Sequence, residues 1–443
     1  MELNEIIAND GLCECGKIHD SLLKKAVICE KAIDSIPDLV KEESAKSVFM
    51  LADLNTYACA GEKVESVLTS AGITVKKYVF PTTDVIEPDE KAVGSAIMHY
   101  VDCDMVIGVG SGVINDIGKI VASVSKKTYM IVGTAPSMDG YASATSSMAR
   151  DGLKVSLPSK CPDIVVGDLD VLCNAPMDMI RAGVGDMLAK YVSICEWRIA
   201  TLLCGEYWCD KVANMVRTAL NEVVTLAPKL MQRDKQAVKA VMDGMVLSGI
   251  AANYAGISRP VSGLEHYFSH VWDMRGLDKG TKVFLHGIQC GSATAEVAKL
   301  YEYLKTIVPD KQKALDFVNA FDVEKYNAEM FEFVGTGANA MAEQEKKEGK
   351  YDKQKHAVRL EKIIENWTKI IKIMDEETPS YANIIDILKT IGAPINATEL
   401  GKDNEEIAKT LTFSKDIRDK YVASRILWDL GITNEAIRDL YNV

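Results

Sequence analysis

The feature that most limits what this chain can fold into is a change of periodicity part-way along it. Up to about residue 170, short β-branched and apolar runs alternate with segments of helical spacing. Residues 47–52 (S-V-F-M-L-A), 73–80, 105–109 (M-V-I-G-V), 128–132 (T-Y-M-I-V) and 164–166 read as strands. Between them, residues 61–71, 90–100 and 114–125 carry apolar side chains at helical spacing. Strands separated by helices of this length join as βαβ units in a parallel sheet. Several strands are apolar throughout, as a sheet covered on both faces requires.

After about Pro176 the strand signals almost vanish, and residues 179–204, 206–226, 236–254, 301–304 onward and 358–374 follow the helical period. At 443 residues the chain exceeds what one hydrophobic core usually serves. The expected architecture is α/β plus all-α. A Rossmann-like parallel-sheet domain spans residues 1–175 and an all-helical domain spans 176–443, with an active site expected in the cleft between them. Residues 343–356 form a charge run, expected to be a solvated helix end or loop.

A formal charge of −12 argues against nucleic acid or anionic lipid as partner, but not against a small phosphorylated ligand in a local pocket. The M-E-L-N-E start lacks a basic region before an apolar run, and no apolar stretch approaches the roughly 18 residues of a membrane span. Eleven scattered cysteines fit reduced thiols in a cytoplasm better than a disulfide framework. The expected assembly is a homodimer.

Four places carry chemistry. G-V-G-S-G, Gly108 to Gly112, follows a strand and precedes a helix, where exposed N–H groups suit phosphate oxygens. A plain strand-to-helix turn is the alternative, since Val113 departs from the usual dinucleotide spacing. The segment from Gly133 to Ser147 is rich in small hydroxyl residues and carries one acid, Asp139. Both loops fall at the carboxyl ends of strands, where open parallel sheets bind ligands. Asp186 lies four residues before Lys190 in G-V-G-D-M-L-A-K, as either a surface ion pair or a functional acid. Finally, three of the six histidines, His266, His270 and His286, are close in sequence. His266 and His270 are four apart and share a helix face. Two histidines with a carboxylate and an open position describe a catalytic zinc or a non-haem iron site.

The ordered set G-V-G-S-G-V-I-N-D, T-A-P-S-M-D-G, G-V-G-D-M-L-A-K, S-R-P-V-S-G-L-E-H-Y-F-S-H and L-H-G resembles the glycerol-1-phosphate dehydrogenase family, in particular its bacterial type. That family sits within the group of iron-containing alcohol dehydrogenases, glycerol dehydrogenase and dehydroquinate synthase. The resemblance runs from about Asp53 to Gly291. It implies a dinucleotide-binding first domain and a second domain for metal and substrate. Asp53 then lies near the adenosine end of NAD or NADP. Gly112, Val113, Ile114, Asn115 and Asp116 hold the pyrophosphate, while Thr134, Ala135, Pro136, Ser137 and Ser143 make further cofactor contacts. Asp186, His266 and His286 bind one divalent metal, zinc first and nickel or iron as alternatives. Asp139, Asp186 and His270 meet the substrate, a small phosphorylated triose, and Asp186 and His270 are the catalytic pair.

The implied reaction is reversible hydride transfer between NAD(P)H and dihydroxyacetone phosphate, giving sn-glycerol 1-phosphate. A polyol or alcohol dehydrogenase and a dehydroquinate-synthase-like lyase are the alternatives. Arg259 is a candidate for the substrate phosphate, with a structural arginine paired to a helix carboxyl end as the alternative. C-E-C-G-K-I-H, Cys13 to His19, also resembles a recurrent start in the family and reads as a structured turn, with a metal half-site as the alternative.

Overall fold

The computed structural model describes residues 3–8, 11–150, 153–281 and 283–443. It divides into two compact units, one of Met1–Met187 with Lys211–Ile257, the other of Leu188–Asp210 with Ser258–Val443.

In the first unit, six parallel strands form one sheet among the described residues. They are β1 (Lys25–Cys29), β2 (Ser47–Asp53), β3 (Thr74–Phe80), β4 (Met105–Gly110), β5 (Thr128–Gly133) and β8 (Ile164–Asp168), in the order β1-β8-β5-β4-β2-β3. The chain leaves β2 for β3 on one side and returns to β4 on the other, so the winding reverses between β2 and β4. Every residue of β4 and β8 is buried, which explains their apolar character up to Asp168, whose carboxylate accepts the Ile33 and Asp170 N–H groups. Val48, Met50, Ile107, Met130 and Val166 lie at the heart of this core. An antiparallel hairpin, β6 (Thr145–Arg150) with β7 (Leu153–Pro158), adds a second small sheet.

The expected strands are all present. The reading missed β1 and the β6–β7 hairpin, whose segments T-S-S-M-A-R and L-K-V-S-L-P lack a clean apolar alternation.

The compact units differ from the expected division at 175/176. Helices Asp210–Leu226 and Lys235–Ala255 belong with the sheet. A Cβ on Gly249 would lie 2.7 Å from the Ala142 backbone, Asn253 donates to the Ala142 carbonyl at 2.8 Å, and Lys235 bridges Glu30 and Asp170. Helical periodicity shows that a segment has an apolar stripe, not which core receives it. The 28-residue helix Met177–Cys204 continues from one unit into the other.

The second unit is helical among its described residues. Helices Leu264–Lys279, Val323–Val334, Gly337–Glu348, Lys353–Glu377 and Asn404–Ser414 are among its elements, and Val271, Met330, Phe333, Phe413 and Trp428 form a core. Helical spacing at residues 301–304 marks the end of helix His286–Lys305, not the start of a longer one.

The charge run 343–356 is not simply solvated. Glu345, Tyr351 and His356 are buried, and His356 Nε2 lies 2.8 Å from the Asp429 carbonyl with its ring against Trp428. A run dense in charge still turns one side of each helix inward every third or fourth residue. Among the described residues no helix is long and apolar enough to cross a membrane, and no disulfide joins the eleven cysteines.

Candidate functional site

Within the first unit, three adjacent strands deliver the cofactor candidates to one edge. Gly110 and Gly133, the last residues of β4 and β5, are register partners, and Thr134 N–H donates to the Gly110 carbonyl at 3.1 Å. Asp53 ends β2, on the other side of β4. This is the carboxyl end of the sheet at its switch point, where open α/β sheets take up ligands.

The glycine turn is shorter than its sequence suggests. Gly108 and Gly110 are strand residues, and Ser111 alone precedes helix Gly112–Ser125. A Cβ on Gly108 would lie 2.5 Å from the Tyr129 hydroxyl, so this glycine makes room for a buried ring rather than for a ligand. The first helical bond runs from Asn115 N–H to the Ser111 carbonyl. The N–H groups of Gly112, Val113 and Ile114 therefore precede the intrahelical ladder, as an anion site requires.

Asn115 and Asp116 serve the neighbouring loop through their side chains. Asn115 Nδ2 donates to the Gly140 carbonyl at 3.1 Å, and Asp116 accepts from Ser147 N–H at 3.2 Å and pairs with Lys119 at 2.8 Å. Lys119 is fully buried and also donates to the Thr145 carbonyl at 2.5 Å. The sequence reading missed it, although a lysine three residues after an acid on a helix is a recognisable pair.

Thr134, Ala135, Pro136 and Ser137 are buried, and Ser143 is half-buried with its hydroxyl 2.9 Å from that of Thr145. Tyr141 donates to the Ala135 carbonyl at 2.6 Å. A Cβ on Gly183 would lie 1.9 Å from the Pro136 carbonyl oxygen, so helix Met177–Cys204 approaches this loop only because residue 183 is glycine. Three residues on, fully buried Asp186 accepts the Asp139 N–H at 2.9 Å. The two acids predicted to meet substrate are thus adjacent. Asp53 uses one carboxylate oxygen to cap the turn at Thr56, in a reciprocal capping box.

Within the second unit the three histidines gather. His266 and His270 are on helix Leu264–Lys279 and His286 opens helix His286–Lys305. Ring centroids are 5.0 Å apart for His266 and His286, 6.1 Å for His270 and His286, and 6.5 Å for His266 and His270. Donor atoms of His266, His286 and Cys290 lie within 4.8 Å of one another. Cys290 was missed, yet H-G-I-Q-C places it one helical turn after His286.

Neighbours aim the rings. His266 Nδ1 lies 2.7 Å from Glu265 Oε1, an oxygen that also accepts the Gly263 N–H. An accepting carboxylate keeps the proton on Nδ1 and leaves Nε2 as the donor atom for a ligand. His286 Nδ1 is 2.9 Å from the Ser269 hydroxyl. The helix start that carries His266 is held by buried Glu196, whose oxygens accept from Leu264 N–H at 2.9 Å and Ala423 N–H at 2.7 Å. Burial pushes the Glu265 carboxyl up to about 7 and that of Glu196 up to about 8, the second raised further by its neighbour Glu265.

Arg259 is occupied structurally. Its guanidinium donates to Glu206 Oε2 at 2.6 Å and to the Tyr421 carbonyl at 2.9 Å. Lys190 donates to the Val261 carbonyl at 3.0 Å.

Comparison with known proteins defines the class first. Residues 27–176 match the family model described as iron-containing alcohol dehydrogenase. The glycerol dehydrogenase of Schizosaccharomyces pombe superposes with a TM-score of 0.60 at 16% identity, covering 94% of this chain and 90% of that one. A 1,3-propanediol oxidoreductase gives a TM-score of 0.62 at 14% identity, covering 95% and 100%. Sequence relatives narrow the class. A glycerol-1-phosphate dehydrogenase [NAD(P)+] of Halalkalibacterium halodurans is 32% identical over 66% of this chain and 74% of its own length. That of Bacillus licheniformis is 26% identical over 95% and 93%, and that of Methanosarcina barkeri 28% over 72% and 93%. The chain belongs to the glycerol-1-phosphate dehydrogenase family.

Proposed function

We propose that this protein is a metal-dependent sn-glycerol-1-phosphate dehydrogenase, interconverting dihydroxyacetone phosphate and sn-glycerol 1-phosphate with NAD(P)H. Family membership supports the reaction, and the gathering of His266, His286 and Cys290, with Glu265 fixing the tautomer of His266, is the observation that carries the metal. Imidazoles with a thiol, completed in this proposal by the Asp186 carboxylate, suit a borderline divalent ion such as zinc, with nickel or iron as alternatives. Such an ion supplies Lewis acidity towards a hydroxyl or carbonyl oxygen.

The remaining tasks fall to the chain. The N–H groups of Gly112, Val113 and Ile114 receive the cofactor pyrophosphate, the Thr134–Ser137 backbone and Ser143 line its path, and Asp53 faces the adenosine ribose. Asp139 accepts a bond from a substrate hydroxyl and fixes the face presented. His270 passes the proton between the substrate oxygen and solvent. We further propose a cytoplasmic homodimer, a reading that light scattering at the mass of a single chain would overturn.

The test is removal and return of the metal. Purified protein should oxidise NADH with dihydroxyacetone phosphate, stop after chelation, and recover on adding Zn²⁺ or Ni²⁺. Full turnover by metal-stripped protein would overturn the assignment.

A further inference from the structure

The first unit contains a second group of metal-ligating side chains, in the turn that the dehydrogenase chemistry leaves unused. Cys13, Cys15 and His19 present two thiols and an imidazole whose donor atoms lie within 4.8 Å of one another. The local fold explains how seven residues achieve this. Leu12 and Ile18 form an antiparallel bridge, Cys13 N–H donates to the Lys17 carbonyl at 2.9 Å, and Gly16 N–H donates back to the Cys13 carbonyl at 2.8 Å. Gly16 sits at φ 84°, a conformation that a side chain would disfavour, so the glycine is what closes the turn.

The imidazole is held as a ligand would be. His19 is 1% exposed and stacks on Tyr254 at 5.2 Å between ring centroids. Its Nδ1 lies 3.0 Å from the Tyr254 carbonyl, which can only accept. The proton is therefore on Nδ1, and Nε2 presents its lone pair to Cys15 Sγ, 3.3 Å away. A tetrahedral zinc ion separates a sulfur and a nitrogen ligand by about 3.5 Å, so this pair needs almost no rearrangement. The anchor is firm, since Tyr254 donates to the Ile6 carbonyl at 2.8 Å and Lys17 to the Ala255 carbonyl at 3.2 Å.

We infer that Cys13, Cys15 and His19 form a second divalent-metal site, suited to zinc, that locks the N-terminal turn in the conformation that packs His19 on Tyr254 of helix Lys235–Ala255. Both thiols lose their protons to solvent as the ion enters, and the fourth coordination position falls to a donor outside the turn. The role is structural. It rests on different residues from the dehydrogenase reading and stands or falls separately from it.

Zinc content of the full-length protein, measured after saturation and desalting, tests it. Wild type should retain about two zinc ions per chain, and the Cys13→Ser/Cys15→Ser variant about one. An Asp186→Asn/His286→Ala variant should instead lose the other ion. An unchanged zinc content in the double-serine variant would overturn the proposal. If that variant does not fold, alkylation of the wild type with mass-spectrometric mapping decides. Zinc should slow modification of Cys13 and Cys15 at least about tenfold. Equal labelling with and without zinc would overturn the site.

Discussion

At the scale of single residues, the histidine cluster depends on neighbours that set which nitrogen is available. Ser269 is the most accessible of these to experiment, because its hydroxyl meets His286 Nδ1 at 2.9 Å and its loss leaves little cavity. Ser269→Ala should weaken metal binding roughly 10- to 100-fold while leaving metal-saturated kcat near wild type. An unchanged metal affinity by competitive chelation would remove His286 from the ligand set. Asp186→Asn should abolish metal-dependent turnover and leave NADH binding intact, read by cofactor fluorescence. The histidines were legible because their spacing is local. Cys290 was overlooked because a buried cysteine in an apolar helix reads as packing, and Glu196 because nothing nearby in sequence shows that its carboxylate serves a helix start 68 positions on.

Between elements, the close approach of helix Met177–Cys204 to the Thr134–Ser137 loop rests on Gly183. Gly183→Ala puts a methyl group where the Pro136 carbonyl oxygen lies 1.9 Å away. The loop must move, so the variant should lose about 1–3 kcal/mol of stability in denaturant titration and bind NADH more weakly. A variant with wild-type cofactor affinity would show that this loop does not touch the cofactor. Lys119 ties helix Gly112–Ser125 to the start of β6 through the Thr145 carbonyl, and pairs within the helix with Asp116, which accepts the Ser147 N–H. Lys119→Met strands a buried carboxylate and should cost roughly 3–5 kcal/mol. Strands and helices with long, regular patterns were readable from sequence. The β6–β7 hairpin was not, because in T-S-S-M-A-R a serine, Ser146, occupies one of the buried positions and breaks the apolar alternation. The glycine motif was legible as a motif but not in its division of labour, since Gly108 clears space for Tyr129 and Gly112 begins the helix.

For the molecule as a whole, each unit has its own core, and the second has a charged centre. Asp416 is fully buried and accepts from Tyr326 at 2.7 Å and Arg425 at 2.7 Å, with Lys415 3.5 Å away. Burial alone would raise its pKa, but Lys415 and Arg425 hold it at about 2. A folded-state value below the unfolded one contributes stability above about pH 4 that is lost as pH falls through about 2. Asp416→Asn should therefore cost roughly 3–5 kcal/mol at neutral pH, with the gap to wild type narrowing by about 2–3 kcal/mol between pH 4 and 2. A constant gap would show that the carboxylate's charge is not what matters. The class of fold was evident from the change of periodicity, whereas the assignment of helices to units was not, because sheet-covering helices and bundle helices share one pattern.

The central claim is a metal-dependent dehydrogenase that selects a phosphorylated triose, and a paired rate measurement tests it most directly. With zinc-loaded protein and NADH, kcat/KM for dihydroxyacetone phosphate should exceed that for dihydroxyacetone roughly 100-fold or more, since in a site selective for the phosphate the groups that pair with it would be left unpaired by the unphosphorylated substrate. Equal values for the two substrates would contradict the account and assign the chain to polyol oxidation instead.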